Sequence, residues 1–186
     1  AYNFVPGLIC MIMMIICAMM TSVSIVREKE VGTMEILLVS PLKPTNIILA
    51  KAIPYLIVAI LDVISILCMA YFILDVPIAG NIFLIMLLSF VFTFSALALG
   101  MLISSITDTQ QAAMIVSAVG LMLPSMLLSG LIFPIESMPS ILQGISYIIP
   151  ARWFIEALRD VMIKGLGFTS IWVEFSILTF MTLILL

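Results

Sequence analysis

Long apolar runs dominate this sequence. They occupy about 4–26, 52–74, 82–103, 111–133 and 170–186. Each of the first four reaches the roughly 20 residues that a helix needs to cross a bilayer, and the fifth ends after about 16. Charged residues make up only 9% of the chain, against roughly 25% in an ordinary soluble domain. The sequence therefore predicts an all-α, polytopic transmembrane helix bundle with about five spans.

A long connection, residues 134–167, interrupts this pattern before the last run. Pro139 and Pro150 divide it into short pieces, and residues 138–149 form only about 18 Å of helix. That length predicts a re-entrant or interfacial half-helix instead of a crossing. Residues 151–164 then carry an apolar stripe with helical spacing, which predicts an amphipathic helix near the interface. The stripe consists of Phe154, Ala157, Leu158, Val161 and Met162.

The basic residues of the connections predict the orientation of the spans. Four of them fall in the first connection, at Arg27, Lys29, Lys43 and Lys51, and none falls between the second and third runs. The positive-inside rule therefore places the first connection in the cytoplasm. Alternation then puts Asp108 inside and residues 134–169 outside.

Small residues at four-residue spacing predict a close packing of the third and fourth spans. They are Ala96, Gly100 and Ser104 in one span and Ala112, Val116 and Gly120 in the other. Such stripes let two helix backbones approach closely, so we expect these spans to form a tight antiparallel pair.

Composition excludes several classes of function. The formal charge of −3 provides no basic stripe for a nucleic-acid backbone. The chain has no His, no glycine-rich phosphate loop and no nucleophile motif, which predicts no catalytic site and no cofactor bound by this chain. Cys10, Met14 and Cys17 share a helix face that could suit Cu(I), but adaptable packing explains these soft side chains better. We therefore predict no metal site.

Asp62 lies in the middle of the second run, where a carboxylate costs roughly 2.5 to 3.5 kcal/mol on insertion scales. A structural interpretation is a protonated carboxyl group that is hydrogen-bonded to Ser65 or to a neighbouring helix. The alternative is a role in a substrate pathway or in proton-linked transport.

The connection after the first run contains the most informative pattern. Three of the ten carboxylates fall between Arg27 and Glu35, and Pro41 ends the segment. Val31, Met34, Leu37 and Leu38 share one helical face, which predicts a short helix along the cytoplasmic surface. By composition alone, a solvated loop whose charges stop transfer explains the segment equally simply.

This segment resembles the coupling helix of type-2 ATP-binding-cassette (ABC) exporter permeases, in which a charged cluster precedes Gly-Thr, then Glu, paired leucines and Ser/Thr-Pro. The resemblance extends to residues 5–7, 50–55, 129–134 and 138–139, and to Pro150, Arg159 and Gly165. It implies that residues 27–46 form a coupling segment that docks on an ATPase. The implied docking residues are Arg27, Glu28, Glu30, Gly32, Thr33, Glu35, Leu38 and Pro41.

The resemblance also implies partners and location. The family has six spans, and its first span and extracellular domain would precede Ala1. It implies cytoplasmic ABC ATPase subunits that bind ATP and Mg, a second permease copy, and a multi-pass location in the bacterial inner or plasma membrane. A periplasmic adaptor is a further candidate partner. The extracellular half-helices would be marked by Pro134, Pro139, Pro150 and Arg159.

Three functions stay open at this stage. The first is the permease subunit of an ABC exporter that moves an amphipathic or drug-like substrate outward. The second is a secondary transporter or channel in which Asp62 couples proton or cation movement. The third is a membrane scaffold without a transport role.

Overall fold

The computed structural model describes residues 4–33, 44–72, 80–130 and 139–185. Within these ranges the chain forms seven helices and no strand, so the predicted all-α helix bundle is confirmed. The helices are α1 (Phe4–Val31), α2 (Pro44–Phe72), α3 (Ile82–Ile106), α4 (Gln110–Leu128), α5 (Ser140–Ser146), α6 (Pro150–Met162) and α7 (Trp172–Leu185).

Three of these helices, α1, α3 and α4, are long and apolar enough to cross a membrane. The other two predicted spans correspond to shorter apolar stretches, Ile53–Met69 within α2 and Trp172–Leu185 in α7. α2 itself has 29 residues and begins at Pro44, eight positions before its predicted start at 52. Pro54 therefore lies inside a helix and not in its first turn, which a transmembrane helix tolerates.

α1 continues through the charged cluster that was expected to end it at residue 26. Glu, Lys and Arg are good helix formers, so residues 27–31 extend the helix without a break. Gly32 ends it, with a left-handed φ of 79° and its N–H donated to the Lys29 carbonyl at 3.1 Å. The prediction of a separate surface helix beginning at Arg27 is therefore wrong for residues 27–31. Residues 34–43 lie outside the described part.

α3 is the central helix of the bundle, and α1, α2, α6 and α7 all pack against it. Phe92 of α3 stacks on Phe154 of α6, with ring centroids 4.2 Å apart and planes within 12° of parallel. The predicted apolar stripe of α6 is buried in full. α6 is therefore an amphipathic helix whose apolar face is covered by α1, α3 and α7.

α6 ends at Met162, with Ile163 as its C-cap residue. Gly165, two residues further on, adopts a left-handed φ of 63°, and the Leu166 N–H reaches the Asp160 carbonyl at 3.2 Å. This hydrogen bond joins residues six positions apart, one more than in a Schellman motif, and it satisfies a carbonyl near the end of the helix.

The tightest helix contact is between α3 and α1, not between α3 and α4. A Cβ on Gly100 would overlap the backbone carbonyl of Ala18 and would lie 3.1 Å from its Cα. Gly120 has only its own neighbour Val116 within 4 Å, at 3.9 Å. The predicted pairing of small-residue stripes from α3 and α4 is therefore wrong. Spacing identifies a small-residue face but does not identify which helix covers it.

Ala18 lies in a π-helical segment of α1, Met14–Met19, and α4 contains a second one, Ala118–Met122. The two segments contact each other. A π turn inserts one residue into the helical repeat, so it changes which face each following residue occupies. A helical face of α1 or α4 that is assigned from a regular 3.6-residue period therefore does not stay the same on both sides of the π-helical segment.

We expect Gly100→Ala to destabilise the protein by about 1–3 kcal/mol, the usual cost of overpacking, because the new methyl group meets the α1 backbone. Gly120→Ala is the matched control, and helix propensity alone predicts that it is neutral or stabilising. Thermal unfolding of the purified protein in detergent measures both. Equal shifts in the two variants would contradict a close α1–α3 crossing.

Candidate functional site

The charged end of α1 and the turn between α3 and α4 meet at one end of the bundle, which we call the polar end. The Lys29 ammonium donates to the Ser104 carbonyl and, at 3.4 Å, to the Thr107 carbonyl. The Gln110 amide donates to the Glu30 carboxylate at 2.5 Å. We call these five residues the polar junction. It joins the last turn of α1 to the end of α3 and the start of α4.

Local sequence explains the turn that Lys29 and Glu30 contact. α3 ends at Ile106, and Thr109 caps α4 by accepting from the Ala112 N–H at 3.3 Å. The last carbonyls of a helix lack intrahelical partners and carry its negative dipole end, which favours a cation. Lys29 supplies that cation from another helix, and Glu30 lies near the positive start of α4.

Five of the eight predicted docking residues lie in the described part. Arg27, Glu30, Gly32 and Thr33 are exposed, and Glu28 is partly buried. The Thr33 hydroxyl donates to the Glu28 carbonyl at 3.3 Å, which folds the chain back on the end of α1. The remaining three, Glu35, Leu38 and Pro41, lie outside the described residues, so their docking role stays a prediction.

Sequence reasoning missed the partners of this segment. Thr107 and Gln110 were not singled out, and Ser104 was named only as a small residue of a packing stripe, although alternation of the spans placed Asp108 on the same side as Arg27. The available signal was weak: a Thr cap after a long apolar helix, and a Lys one turn before Gly32 on another helix. Only the packing of α1 beside α3 shows that the two meet.

A second polar cluster lies at the opposite end of the bundle, in the segment from Pro139 to Met162 that we call the elbow. Arg152 is only 8% exposed, donates to the Ser146 hydroxyl, and pairs with Glu156 at 3.3 Å. Its guanidinium lies 4.0 Å from the centroid of the Tyr147 ring. Arg152 thus holds α5 against α6.

The predicted half-helix residues occupy the boundaries of these elements. Pro139 precedes α5, and Pro150 is the first residue of α6, where its missing N–H leaves no bond unmade. Pro134 lies outside the described residues. Arg159 is in the last turn of α6, and its Nε is buried without a hydrogen-bond partner among the described residues.

Asp62 belongs to neither cluster. Its Oδ2 is buried and has no hydrogen-bond partner in the described part of the chain. The Ser65 hydroxyl donates to the Asp62 backbone carbonyl at 2.8 Å and not to the carboxyl group, so the predicted pairing of these side chains is wrong.

The sulfur-bearing face of α1 lies inside the bundle. Cys10 and Cys17 are both buried, and the Cys10 thiol points to the Ala151 carbonyl of α6 at 4.0 Å. No group of three or more His, Cys, Asp or Glu side chains suited to a metal ion occurs in the described ranges. The arrangement of these cysteines is that of packing residues.

Known proteins are similar to the part of the chain that contains both clusters. A family model described as ABC-2 type transporter matches residues 1–163, which include the polar junction and the elbow. The chain is 40% identical to the "Probable multidrug ABC transporter permease YbhS" of Escherichia coli strain K12 over 161 residues, 87% of this chain and 43% of that protein. It is 38% identical to YbhR of the same strain over 90% of this chain and 45% of that protein.

A eukaryotic relative is similar over the same region. "ABC transporter G family member 20" of Dictyostelium discoideum is 30% identical over 172 residues, 91% of this chain and 23% of that protein. The chain therefore spans less than half the length of each of these relatives.

We expect Arg152→Met to destabilise the protein by about 1.5–3 kcal/mol, the range for hydrogen bonds to charged groups, because the variant leaves Ser146 and Glu156 without their buried partner. Lys164→Met, two residues after the end of α6, is the matched control. Lys164 pairs with Asp160 at 2.6 Å, but its side chain is 58% exposed, so its loss should stay within about 0.5 kcal/mol. Denaturant unfolding in detergent compares the two. An equal loss in both variants would show that Arg152 does not hold the elbow.

Proposed function

The chain belongs to the ABC-2 type transporter family, and on this premise we propose that it forms the membrane-spanning permease part of an ATP-driven exporter. The cargo that we propose is an amphipathic or drug-like molecule, moved outward. The names of the E. coli relatives, which describe them as multidrug ABC transporter permeases, support this choice. In this proposal ATP and Mg bind a separate ATPase subunit, which the description of the E. coli relatives as permeases supports.

One structural observation carries the proposal furthest: α1 continues as a rigid helix past its apolar part and presents charged side chains at the polar end. Arg27 and Glu30 are exposed there, and Val31 is 67% exposed. An exposed helix end with charged anchors and an apolar side chain fits a groove on a partner protein. Because it belongs to a spanning helix, a force applied to it moves the bundle directly.

The proposed assembly contains two copies of the permease, or this permease and a related one, with two ATPase subunits in the cytoplasm. Its location is the cell membrane, with the polar end inside and the elbow outside. The excess of basic residues in the first connection supports this orientation.

A second candidate function has its own observation. Asp62 presents a buried carboxyl oxygen without a partner among the described residues. Such a group inside a membrane is a natural site for proton or cation coupling. A secondary transporter that uses Asp62 would need no ATPase.

We expect the complete protein to co-purify with an ABC ATPase encoded beside it, and the double variant Glu28→Ala, Glu35→Ala to weaken this binding about tenfold (about 1.4 kcal/mol). Removing the two carboxylates deletes charged anchors from the coupling segment. Asp160→Ala, an acidic residue of the elbow, is the control and should bind normally. Binding of the purified subunits measures the effect. If no ATPase is recovered with the wild-type protein, and the double variant transports normally, the ABC exporter proposal fails.

Asp62→Asn separates the two candidates in vesicles that contain the complete protein and its ATPase. With Hoechst 33342 as the probe, an ABC exporter should move the dye only when ATP is present, in the wild type and in the variant alike. A proton-coupled carrier should respond to an imposed pH gradient without ATP, and the Asn variant should lose that response. Gradient-driven flux in the wild type would favour the carrier.

A further inference from the structure

We propose that Lys29 is a positioning residue that fastens the end of α1 to the end of α3, so that displacement of the coupling segment moves α1, α3 and α4 together. The inference rests on the proposed function, because it concerns how movement of an ATPase reaches the bundle. It adds to that function the path of the movement, which passes from α1, the helix that carries the docking residues, to α3 and α4.

The first step of the argument is the geometry of the Lys29 ammonium. It donates to two carbonyls, Ser104 and Thr107, that lie on either side of the last residue of α3. The Ser104 carbonyl lies in the last turn of α3, where carbonyls lack an intrahelical N–H partner and carry the negative end of the helix dipole, and the Thr107 carbonyl lies just past the helix end. A charge-assisted hydrogen bond to each is about twice as strong as a neutral one. Lys29 is therefore bound to α3 and is not free to contact a docked partner.

The second step is the neighbouring contact. Glu30 follows Lys29 directly and accepts from Gln110, the first residue of α4. Two successive residues of α1 thus hold the two ends of the α3–α4 turn. A turn held on both sides cannot pivot away from α1 when α1 moves.

The third step lies further along the same pair of helices. Gly100 of α3 meets the Ala18 backbone without space for even a methyl group. The polar junction and this crossing are two separate points of attachment between α1 and α3. Two points fix both the position and the direction of one helix relative to the other, so α1 and α3 should move as one body.

Exposure separates this role from direct docking. Arg27 and Glu30 are exposed, whereas Lys29 is partly buried between α1 and the α3–α4 turn. Gly32 then ends α1 three residues after Lys29 and begins the part of the coupling segment that follows. Lys29 therefore lies between the proposed docking surface and the bundle.

The test measures nucleotide-driven movement of α3 and needs no knowledge of the cargo. Spin labels are attached at Ser105→Cys, exposed at the polar end of α3, and at Ile148→Cys, which is 72% exposed in the elbow. The background carries Cys68→Ser because Cys68 is the exposed native thiol of the described residues. The distance between the labels is measured by pulsed electron paramagnetic resonance in the complete complex, without nucleotide and after trapping with ADP and vanadate.

We expect the trapped state to change this distance in the wild type. Lys29→Met, which keeps most of the aliphatic stem, should retain the ATPase and lose the distance change. Lys29→Arg can still donate to both carbonyls and should restore it. Lys164→Met, the same substitution at an exposed lysine just after the elbow, should behave as the wild type.

Three results would overturn the proposal: no distance change in the wild type, an unaltered change in Lys29→Met, or a loss of ATPase binding in Lys29→Met, which would make Lys29 a docking residue. Failure of the wild-type protein to bind any ATPase would instead overturn the proposed function. If Lys29→Met does not fold, Gln110→Glu replaces it, because it sets two carboxylates against each other. Gln110→Glu should retain the ATPase, because it leaves the proposed docking residues unchanged, and should lose the distance change; an unaltered distance change in this variant counts against the junction.

Discussion

Polar groups in the apolar part of this bundle must find their partners within the protein, because lipid offers none. α3 meets this constraint one turn at a time: the hydroxyls of Ser89 and Thr93 each donate to the carbonyl four residues earlier, at 2.8 Å. With these two hydroxyls satisfied internally, α3 can occupy the centre of the bundle and accept α1, α2, α6 and α7 around it. Asp62 of α2 and Ser95 of α3 are exceptions, because each has a buried oxygen without a hydrogen-bond partner in the described part of the chain.

The same constraint makes the ends of the helices the informative parts of the structure. At the polar end the free carbonyls of α3 are satisfied by Lys29, a side chain of another helix. At the elbow Arg152 satisfies Ser146 and Glu156 and lies under the Tyr147 ring. Each end therefore has a buried or partly buried cation that joins two helices: Lys29 joins α1 to α3, and Arg152 joins α5 to α6.

These attachments between helices suit the mechanical task of the proposed exporter. A permease of this kind performs no chemistry itself, so it has to receive a displacement and convert it into movement of its helices. A rigid extension of α1, attached to α3 and α4 at one end and crossing α3 closely further along, suits that task. The elbow packs on the halves of α1 and α3 that lie away from the polar end, through contacts such as Phe92 with Phe154, and forms the part against which they would move.

The sequence by itself determined which segments are helical, because apolar run length and helical spacing are local properties. It also determined which stripe of α6 is buried. Family membership was accessible too, from the order of residues around Glu28, Gly32 and Pro41. The tertiary structure decided the partners: Gly100 faces α1 and not α4, Lys29 caps α3, and Arg152 is buried. Spacing along one helix defines a face, but the helix that covers this face depends on the packing of the whole bundle, including π turns that rotate the faces of α1 and α4.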